Sequence, residues 1–370
     1  MLIGVPKEIK SQEFRVGLTP SSVSELIHHG HRVMVETGAA LGIGIDDQVY
    51  RNLGATIVDS AEEIFSTVDM IVKVKEPQPN ECRMLREGQI LFTYLHLAPD
   101  LVQTNLLLES GCIAIAYETV TDRNGRLPLL TPMSEVAGRM SIQAAAKCLE
   151  IVHGGKGLLL GGVVGVPPAK VLVLGGGVVG ANALRIAVGM EADVTLMDVS
   201  LDRMRELEAL YGAGLKTIYP TKDLIAEYVS TADVVIGAVL LPGAEAPKLV
   251  TKEMVAKMNK GSVVIDVAID QGGCFETSRA TTHENPTYVV DGVVHYCVAN
   301  MPAGAARTST YALNNATLPF VLALANKGYQ SALKENVHLL NGLNIYRGQV
   351  TCEAVAKVHR KTYHEPLSIL

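Results

Sequence analysis

The sequence predicts an α/β protein built from two doubly wound domains, each with a predominantly parallel sheet, and a cleft between them. The chain has 370 residues, and a typical domain has roughly 100–150, so two domains are expected. Short apolar runs alternate with helical patterns through both halves of the chain, which is typical of parallel sheets. A glycine-rich turn near the middle marks where the second sheet begins.

The composition excludes several function classes. The net charge of −6 comes without basic blocks, so neither nucleic acid nor an anionic membrane is expected as a partner. The longest uncharged window, residues 308–326, contains Asn314, Asn315 and Pro319, and the N-terminus lacks a signal-peptide pattern, so no membrane insertion is expected. The cysteines lack metal-ligand spacing and are interpreted as reduced, mostly buried thiols of a cytoplasmic protein. They are Cys82, Cys112, Cys148, Cys274, Cys297 and Cys352.

The first domain begins with a predicted strand at residues 2–5, followed by a polar loop. Thr19 is a good N-cap before Pro20, which opens a helix that stops at Gly30. The same alternation continues to residue 116. Further strands are predicted at residues 32–35, 56–58, 70–75, 90–95 and 113–116, and helices near residues 46–53, 61–65 and 101–108.

Three basic side chains follow strands of this predicted sheet. Arg15 lies in the loop after the first strand, while Lys75 and His96 close later strands. Ligands bind at the carboxyl edge of a parallel sheet, so the three could converge on a small anionic substrate that also needs proton transfer. Each residue also has a structural interpretation. Arg15 could pair with Glu8 or Glu13, Lys75 could be a solvated strand end, and His96 could bond to backbone.

A boundary follows at residues 128–132. Ser134 is expected to cap a helix of small residues that runs to about Val152, either as plain packing or as a connecting helix that lines the cleft. Residues 153–168 are glycine-rich and apolar, and we interpret them as a surface loop or an oligomer contact.

The central motif combines a strand, a glycine turn and a helix. The apolar run at residues 171–174 precedes Gly175-x-Gly177-x-x-Gly180, a spacing that lets backbone N–H groups at a helix N-terminus bind a pyrophosphate. The next strand ends at Asp198, whose carboxylate suits the ribose hydroxyls of NAD and repels the extra phosphate of NADP. An ordinary α/β turn is the alternative.

The second domain has the strand count of a full Rossmann domain. Asp270 follows its fifth strand, near where the nicotinamide half should lie, although Asp270 before Gly272 and Gly273 could equally be an Asx turn. The helix at residues 311–325 and the tail are expected to pack on the first domain. The predicted strands cover residues 171–174, 194–198, 216–219, 234–239, 263–267 and 293–298. The predicted domains are residues 1–129 plus 307–370, which bind substrate, and residues 130–306, which bind NAD.

Together these motifs resemble the alanine dehydrogenases over essentially the whole chain. Several are shared with the nucleotide-binding part of proton-translocating transhydrogenase, but Lys75 and His96 match only the dehydrogenases. The matching segments are Pro6-x-Glu8, Glu13-x-Arg15-Val16, Thr19-Pro20, KVKEP at 73–77, Leu95-His96, LPLLTPMSEVAGR at 127–139, the glycine motif with Asp198, VAIDQGGCFE at 267–276 and YCVANMPA at 296–303.

The resemblance implies NAD-dependent, reversible oxidative deamination of L-alanine to pyruvate and ammonium by a homohexamer. Arg15 and Lys75 would hold the substrate, and His96 and Asp270 would transfer protons. The implied NAD contacts are Ser134, Gly175, Gly177, Val178, Val179, Gly180, Asp198, Arg203, Val239, Leu240, Val267, Ala268, Ile269, Asp270, Arg279, Val298, Ala299, Asn300 and Met301.

The chain departs from the family pattern at two places. Pro220 stands where the family usually has serine, so no side-chain contact to NAD is expected there. Ala323 and Lys327 stand where some relatives bind a metal, so no metal site is expected. Two alternative functions remain: a non-catalytic NAD(H)-binding subunit of the transhydrogenase type, and a lysine- or saccharopine-type dehydrogenase, which would need a larger pocket with a second charged site.

Overall fold

The computed structural model describes residues 1–239 and 246–370, which divide into two compact units. The first unit comprises Met1–Met133 and Ala306–Leu370, and the second comprises Ser134–Ala305. The first unit is therefore discontinuous in sequence.

Each unit is organised around one sheet. The strands are β1 (Leu2–Val5), β2 (Arg32–Glu36), β3 (Thr56–Val58), β4 (Met70–Val72), β5 (Ile90–Thr93), β6 (Ile113–Ala116), β7 (Lys170–Leu174), β8 (Asp193–Met197), β9 (Leu215–Ile218), β10 (Val234–Gly237), β11 (Val263–Asp266), β12 (Thr287–Val290), β13 (Val293–Tyr296), β14 (Leu343–Tyr346) and β15 (Gln349–Val350).

Helices connect most of the strands. They are α1 (Pro20–His28), α2 (Asp47–Asn52), α3 (Ala61–Thr67), α4 (Pro79–Met84), α5 (Leu101–Ser110), α6 (Thr131–Cys148), α7 (Val178–Gly189), α8 (Leu201–Tyr211), α9 (Lys222–Thr231), α10 (Lys252–Ala256), α11 (Ala306–Glu335), α12 (Val337–Leu340), α13 (Glu353–His359) and α14 (Pro366–Ile369). The predicted cap of α1 is confirmed, because the Thr19 side chain accepts the Ser22 N–H and Pro20 occupies the first turn. Among the described residues, no helix has both the length and the apolar character needed to cross a membrane.

The first sheet has the order β15-β14-β6-β5-β4-β1-β2-β3. Strands β1 to β6 pair in parallel, as predicted, and the chain reverses its direction of winding between β1 and β4. The C-terminal tail adds β14 and β15 in antiparallel pairing beside β6. These two edge strands were not predicted from the sequence.

The second sheet has the order β12-β13-β11-β10-β7-β8-β9. The six predicted strands are parallel, and β12 is an additional antiparallel edge strand. Winding reverses between β7 and β10, so the glycine turn after β7 lies at the switch point where such sheets bind ligands. Both sheets carry fully buried central strands, such as β5, β6, β10 and β11, because helices cover both faces of a parallel sheet.

Several predicted boundaries were wrong. Strands β4 and β5 end at Val72 and Thr93, so Lys75 and His96 lie three residues beyond them. Helix α6 begins at Thr131, so Ser134 lies inside the first turn and is not the N-cap. Pro132 is tolerated in this turn, because the first N–H groups of a helix lack helical partners. Helix α11 extends well beyond residues 311–325 and is interrupted at Gly328, and α4 was missed. The prediction that the cysteines are mostly buried is confirmed, since five of the six are buried; all six are free.

Candidate active site

Arg15 lies in the loop after β1 and is only 2% exposed. Its Nε donates to Glu13 Oε1 at 2.7 Å, its Nη2 donates to Glu13 Oε2 at 2.5 Å, and its Nη1 lies 3.0 Å from Met133 Sδ. Burial by itself would lower the pKa of Arg15, but the Glu13 carboxylate more than offsets this and raises it. Of the two partners proposed from the sequence, Glu13 forms this bidentate pair, which compensates the buried charge.

The Arg15 loop is held by distant parts of the same unit. A Cβ on Gly17 would lie 2.2 Å from Val72 O, so only glycine lets the loop return so close to the end of β4. On the other side, Thr19 N–H donates to Asn314 Oδ1 at 2.7 Å and Val16 N–H donates to Thr310 Oγ1 at 3.4 Å. Helix α11 therefore fixes the position of the loop.

A buried ion network precedes Lys75. Lys73 Nζ donates to Glu8 Oε2 at 3.2 Å and to Glu81 Oε1 at 2.7 Å. Glu8 Oε1 also accepts the N–H groups of Val74 at 2.7 Å and Lys75 at 3.3 Å. Burial favours neutral Lys73, but the two carboxylates raise its pKa and keep it charged. The network thereby holds the backbone that carries Lys75.

The Lys75 side chain is not the solvated strand end that was one alternative, since it is only 12% exposed. Its Nζ lies 3.9 Å from Glu76 Oε2, and Glu76 also pairs with Lys10. Burial opposes ionisation of Glu76, yet the two lysines lower its pKa. Lys75 is thus a partly shielded cation beside an ionised carboxylate.

His96 is exposed and adopts a positive φ of 48°, a conformation that histidine adopts more readily than most residues. Its N–H donates to Glu118 Oε1 at 2.6 Å, and the Leu95 N–H donates to the same carboxylate. The His96 ring stacks on Tyr94 at 5.9 Å between centroids, and Tyr94 Oη donates to Leu129 O at 2.5 Å. The backbone and one face of the imidazole are therefore held while the ring stays accessible.

Strands β1, β4 and β5 are neighbours in the first sheet and run in parallel. Arg15, Lys75 and His96 follow these three strands, so they share the carboxyl edge beside the switch point between β1 and β4. A guanidinium, an ammonium and an imidazole at one edge can bind a small carboxylate and move protons near neutral pH.

In the second unit, the glycine motif has the geometry of a phosphate-binding turn. Gly175 has a φ of 96°, and a Cβ on Gly180 would lie 1.8 Å from Gly175 O. A Cβ on Gly177 would meet no atom within 4 Å, so its backbone faces open space at the N-terminus of α7. Gly138 allows close packing from α6, because its Cβ would lie 2.2 Å from Val179 O. These features fit a dinucleotide pyrophosphate.

Asp198 follows β8 and is close to this turn. Its Oδ2 accepts the Gly176 N–H at 2.6 Å, and its Oδ1 accepts the Ser200 N–H at 2.7 Å. Arg203 Nε donates to Gly176 O at 2.7 Å. A carboxylate is thus held beside the glycine turn, where the adenosine ribose of a dinucleotide binds in this fold.

The remaining predicted cofactor residues follow other parallel strands of the second sheet or begin its helices. Ser134 lies in the first turn of α6. Arg279 is exposed, with its guanidinium 4.1 Å above the Tyr288 ring. Leu240 lies outside the described residues. The others are Val178 and Val179 at the start of α7, Val239 after β10, Val267, Ala268, Ile269 and Asp270 after β11, and Val298, Ala299, Asn300 and Met301 after β13.

Asp270 is exposed in a short 3₁₀ helix, Val267–Gln271. Its Oδ1 accepts the Asn300 N–H at 3.4 Å. Another carboxylate, Asp266, closes the loop that carries Asp270. It accepts the N–H groups of Ala268 at 3.1 Å and Cys274 at 3.0 Å, on either side of Asp270 in sequence. Asp266 therefore performs the turn-stabilising role that was the alternative for Asp270.

Within the described ranges, no group of three or more histidine, cysteine, aspartate or glutamate residues is arranged to hold a metal ion. Lys327, at one of the positions where relatives bind a metal, pairs with Glu335 at 2.5 Å. The absence of a metal site stays a prediction.

Sequence reasoning missed the residues that support the predicted ones: Lys73, Glu81, Glu118 and Asp266. One signal was present for Lys73, because a lysine inside the apolar run IVKVK needs a buried counter-charge. No comparable signal pointed to the others, since their partners depend on the arrangement of the folded chain.

Two family models match the chain. "Alanine dehydrogenase/PNT, N-terminal domain" matches residues 4–137, and "Alanine dehydrogenase/PNT, C-terminal domain" matches residues 141–353. The chain belongs to the alanine dehydrogenase/PNT family. The resemblance inferred from its motifs is thereby confirmed.

Individual relatives of this family match over nearly the full length. An alanine dehydrogenase of Halomonas elongata is 54% identical over 370 residues, covering 100% of both chains. One of Methanococcus maripaludis is 56% identical over 364 residues, covering 98% of both. A solved structure entitled L-alanine dehydrogenase superposes with a TM-score of 0.95 at 51% identity and covers 97% of this chain and 99% of that one.

Proposed function

We propose that the protein catalyses the NAD-dependent, reversible oxidative deamination of L-alanine to pyruvate and ammonium. The observation that carries this proposal is the full-length identity of 54% and 56% with proteins named alanine dehydrogenase. The basic side chains Arg15, Lys75 and His96 at one sheet edge agree with it, since alanine and pyruvate are both small carboxylates. The protein is thus an oxidoreductase that acts on the CH–NH₂ group of L-alanine.

NAD is the proposed cofactor, and when bound it accepts the hydride from the α carbon of alanine. The open space at Gly177 and the carboxylate of Asp198 support this choice. Asp198 favours NAD over NADP, because a 2′-phosphate would meet its negative charge. The proposed contacts beyond these two are Ser134, Gly175, Val178, Val179, Gly180, Arg203, Val239, Leu240, Val267, Ala268, Ile269, Asp270, Arg279, Val298, Ala299, Asn300 and Met301.

The substrate roles follow from the charge of each group. Arg15, whose guanidinium pairs with Glu13, would bind the substrate carboxylate. Lys75 would hold the amine or carbonyl region as a point charge. His96 and Asp270 would remove and return the protons as water adds and ammonia leaves.

The direct test is NADH formation with a panel of L-amino acids, with D-alanine and NADP as controls. Turnover with L-alanine well above the other amino acids is the expected result. NADH binding without turnover on any amino acid would instead indicate a nucleotide-binding subunit of the transhydrogenase type. Preference for lysine or saccharopine would indicate the other alternative.

We also propose a homohexamer located in the cytoplasm. The free cysteines agree with a reducing compartment. The segment at residues 151–166 exposes Ile151, Val152, Leu159 and Val164, which agrees with burial of this segment in an oligomer. Light scattering of the purified protein tests the assembly, and a monomer would contradict it.

A further inference from the structure

The second unit contains a buried carboxylate whose neighbours all donate to it. Asp266 ends β11 and is 0% exposed. Its Oδ1 accepts the Ala268 N–H at 3.1 Å, and its Oδ2 accepts the Cys274 N–H at 3.0 Å and the Ser278 hydroxyl at 2.5 Å. The Cys274 thiol lies 3.6 Å from Oδ1. No salt bridge to Asp266 occurs in the part of the chain that the structure describes, so these hydrogen bonds compensate its burial.

These bonds close the loop that carries Asp270. Ala268 and Cys274 lie on opposite sides of Asp270 in sequence, and one carboxylate binds both. The loop also passes close to Asp266, because a Cβ on Gly273 would lie 2.4 Å from Asp266 Oδ2. Lys248 Nζ donates to the carbonyls of Gly272 and Gly273 at 2.5 and 2.8 Å, which holds the same turn from outside.

We propose that Asp266 is a positioning residue, which sets the place of Asp270 for proton transfer by tying both ends of its loop. The inference rests on the proposed function, which assigns Asp270 to proton transfer. Proton transfer and hydride transfer depend on sub-ångström placement of the reacting groups. Asp266 therefore acts on the reaction only through the loop.

The substitution Asp266→Asn isolates this role. Both carboxylate oxygens accept a backbone N–H, whereas an asparagine offers one accepting oxygen and one NH₂ group. The NH₂ group would face the N–H of either Ala268 or Cys274, so one end of the loop is released while side-chain volume is kept. We expect kcat to fall by roughly 10- to 100-fold, expressed per molecule that still binds NADH.

The deciding comparison repeats Asp266→Asn in an Asp270→Asn background. If Asp266 acts through Asp270, the double variant has the same kcat as Asp270→Asn alone. Equal losses in both backgrounds would make Asp266 a general structural residue and overturn the proposal. Near-normal turnover of Asp270→Asn by itself would instead contradict the role that the proposed function gives Asp270, so the two failures are distinguishable.

Two further variants control for loss of folding. Asp233→Asn changes another structural carboxylate of the second unit, which accepts the Lys170 N–H at 2.7 Å and the Lys156 Nζ at 2.6 Å at the opposite end of the sheet. It should lower the melting temperature while leaving kcat nearly unchanged. Should Asp266→Asn fail to fold, Ser278→Ala replaces it in both backgrounds, since it removes the hydroxyl that orients Asp266 Oδ2 towards the Cys274 N–H and so loosens one end of the loop. A smaller loss of kcat, absent in the Asp270→Asn background, is expected, and an unchanged kcat overturns the proposal.

Discussion

Buried charges near the carboxyl edge of the first sheet occur in compensated groups. Arg15 pairs with Glu13, and Lys73 lies between Glu8 and Glu81. An unpaired ion at such depth costs several kcal/mol. The carboxylates therefore stabilise Arg15 and Lys73 in their charged forms at this depth, while they offset the positive charge of the two side chains.

His96 is the residue whose removal tests the chemistry most directly. His96→Ala should lower kcat by roughly 10²–10⁴-fold and leave NADH binding nearly unchanged, because His96 belongs to the unit that lacks the glycine motif. Steady-state kinetics and NADH fluorescence titration measure the two effects. His29→Ala is the matched control, since His29 is a surface histidine 3.3 Å from Glu25, and it should leave both values unaltered.

Lys75→Ala should also abolish most turnover without weakening NADH binding, because it removes the point charge proposed for the amine or carbonyl region. Lys10→Ala is a suitable control, since it removes another lysine paired with Glu76. The assignment of Lys75 would be wrong if the two variants had similar kcat values.

Asp198 is the residue that we propose gives the protein its preference for NAD over NADP. We expect the wild type to prefer NAD strongly, and Asp198→Ala to narrow the ratio of kcat/KM for NAD over NADP, because a charge that repels the 2′-phosphate is lost while Arg203 remains. The control is Asp202→Ala on the exposed face of α8, where the carboxylate pairs with Arg205. A wild-type enzyme that used both cofactors equally would refute this role.

The turn from β7 into α7 depends on the absence of a side chain at Gly180. Gly180→Ala places a methyl group 1.8 Å from Gly175 O, so the turn must shift. Overpacking of this kind costs about 1–3 kcal/mol, and the shift should also weaken NADH binding. Chemical denaturation and NADH titration measure both losses.

Gly189 offers a matched control in the same helix. A Cβ there would meet no atom within 4 Å, and the residue is exposed at the end of α7. Gly189→Ala should leave NADH binding unchanged and raise the free energy of unfolding by up to about 1 kcal/mol, as alanine does in helices. Similar effects of both substitutions would show that steric contact at Gly180 is not decisive.

The pH dependence of stability concerns the whole molecule. His295 is buried on β13, where its Nδ1 lies 3.0 Å from Val293 O and its Nε2 lies 2.8 Å from Thr277 Oγ1. Burial lowers the pKa of His295 below the ordinary 6.5, although Val293 O and Asp291 partly oppose this. Below pH 6.5 the unfolded state therefore binds more protons than the folded state. The contribution of His295 to the free energy of unfolding is complete above that pH and is lost as the pH falls.

We accordingly expect the free energy of unfolding to decrease as the pH drops below 6.5. His295→Gln removes the titrating group and should flatten this part of the curve, although the variant will be less stable at neutral pH. Urea denaturation at a series of pH values measures both. Parallel curves for the wild type and His295→Gln would show that other groups dominate the acid dependence.

Much of this protein is determined by the sequence alone, because the relevant interactions are local. The Thr19 cap, the glycine turn with Asp198, and the six parallel strands of each sheet all depend on residues a few positions apart. The full-length family resemblance likewise follows from contiguous motifs. Such features can be read from the chain because propensity, periodicity and turn chemistry act over short distances.

The tertiary structure decided what depends on distant partners. Asn314 holds the backbone at Thr19 although 295 residues separate them, and the tail supplies β14 against β6. Lys73 likewise pairs with Glu8, 65 positions away in the chain, because the two groups share a buried space. Burial makes an unpaired charge costly, and only the folded chain establishes which partner is close enough to compensate it.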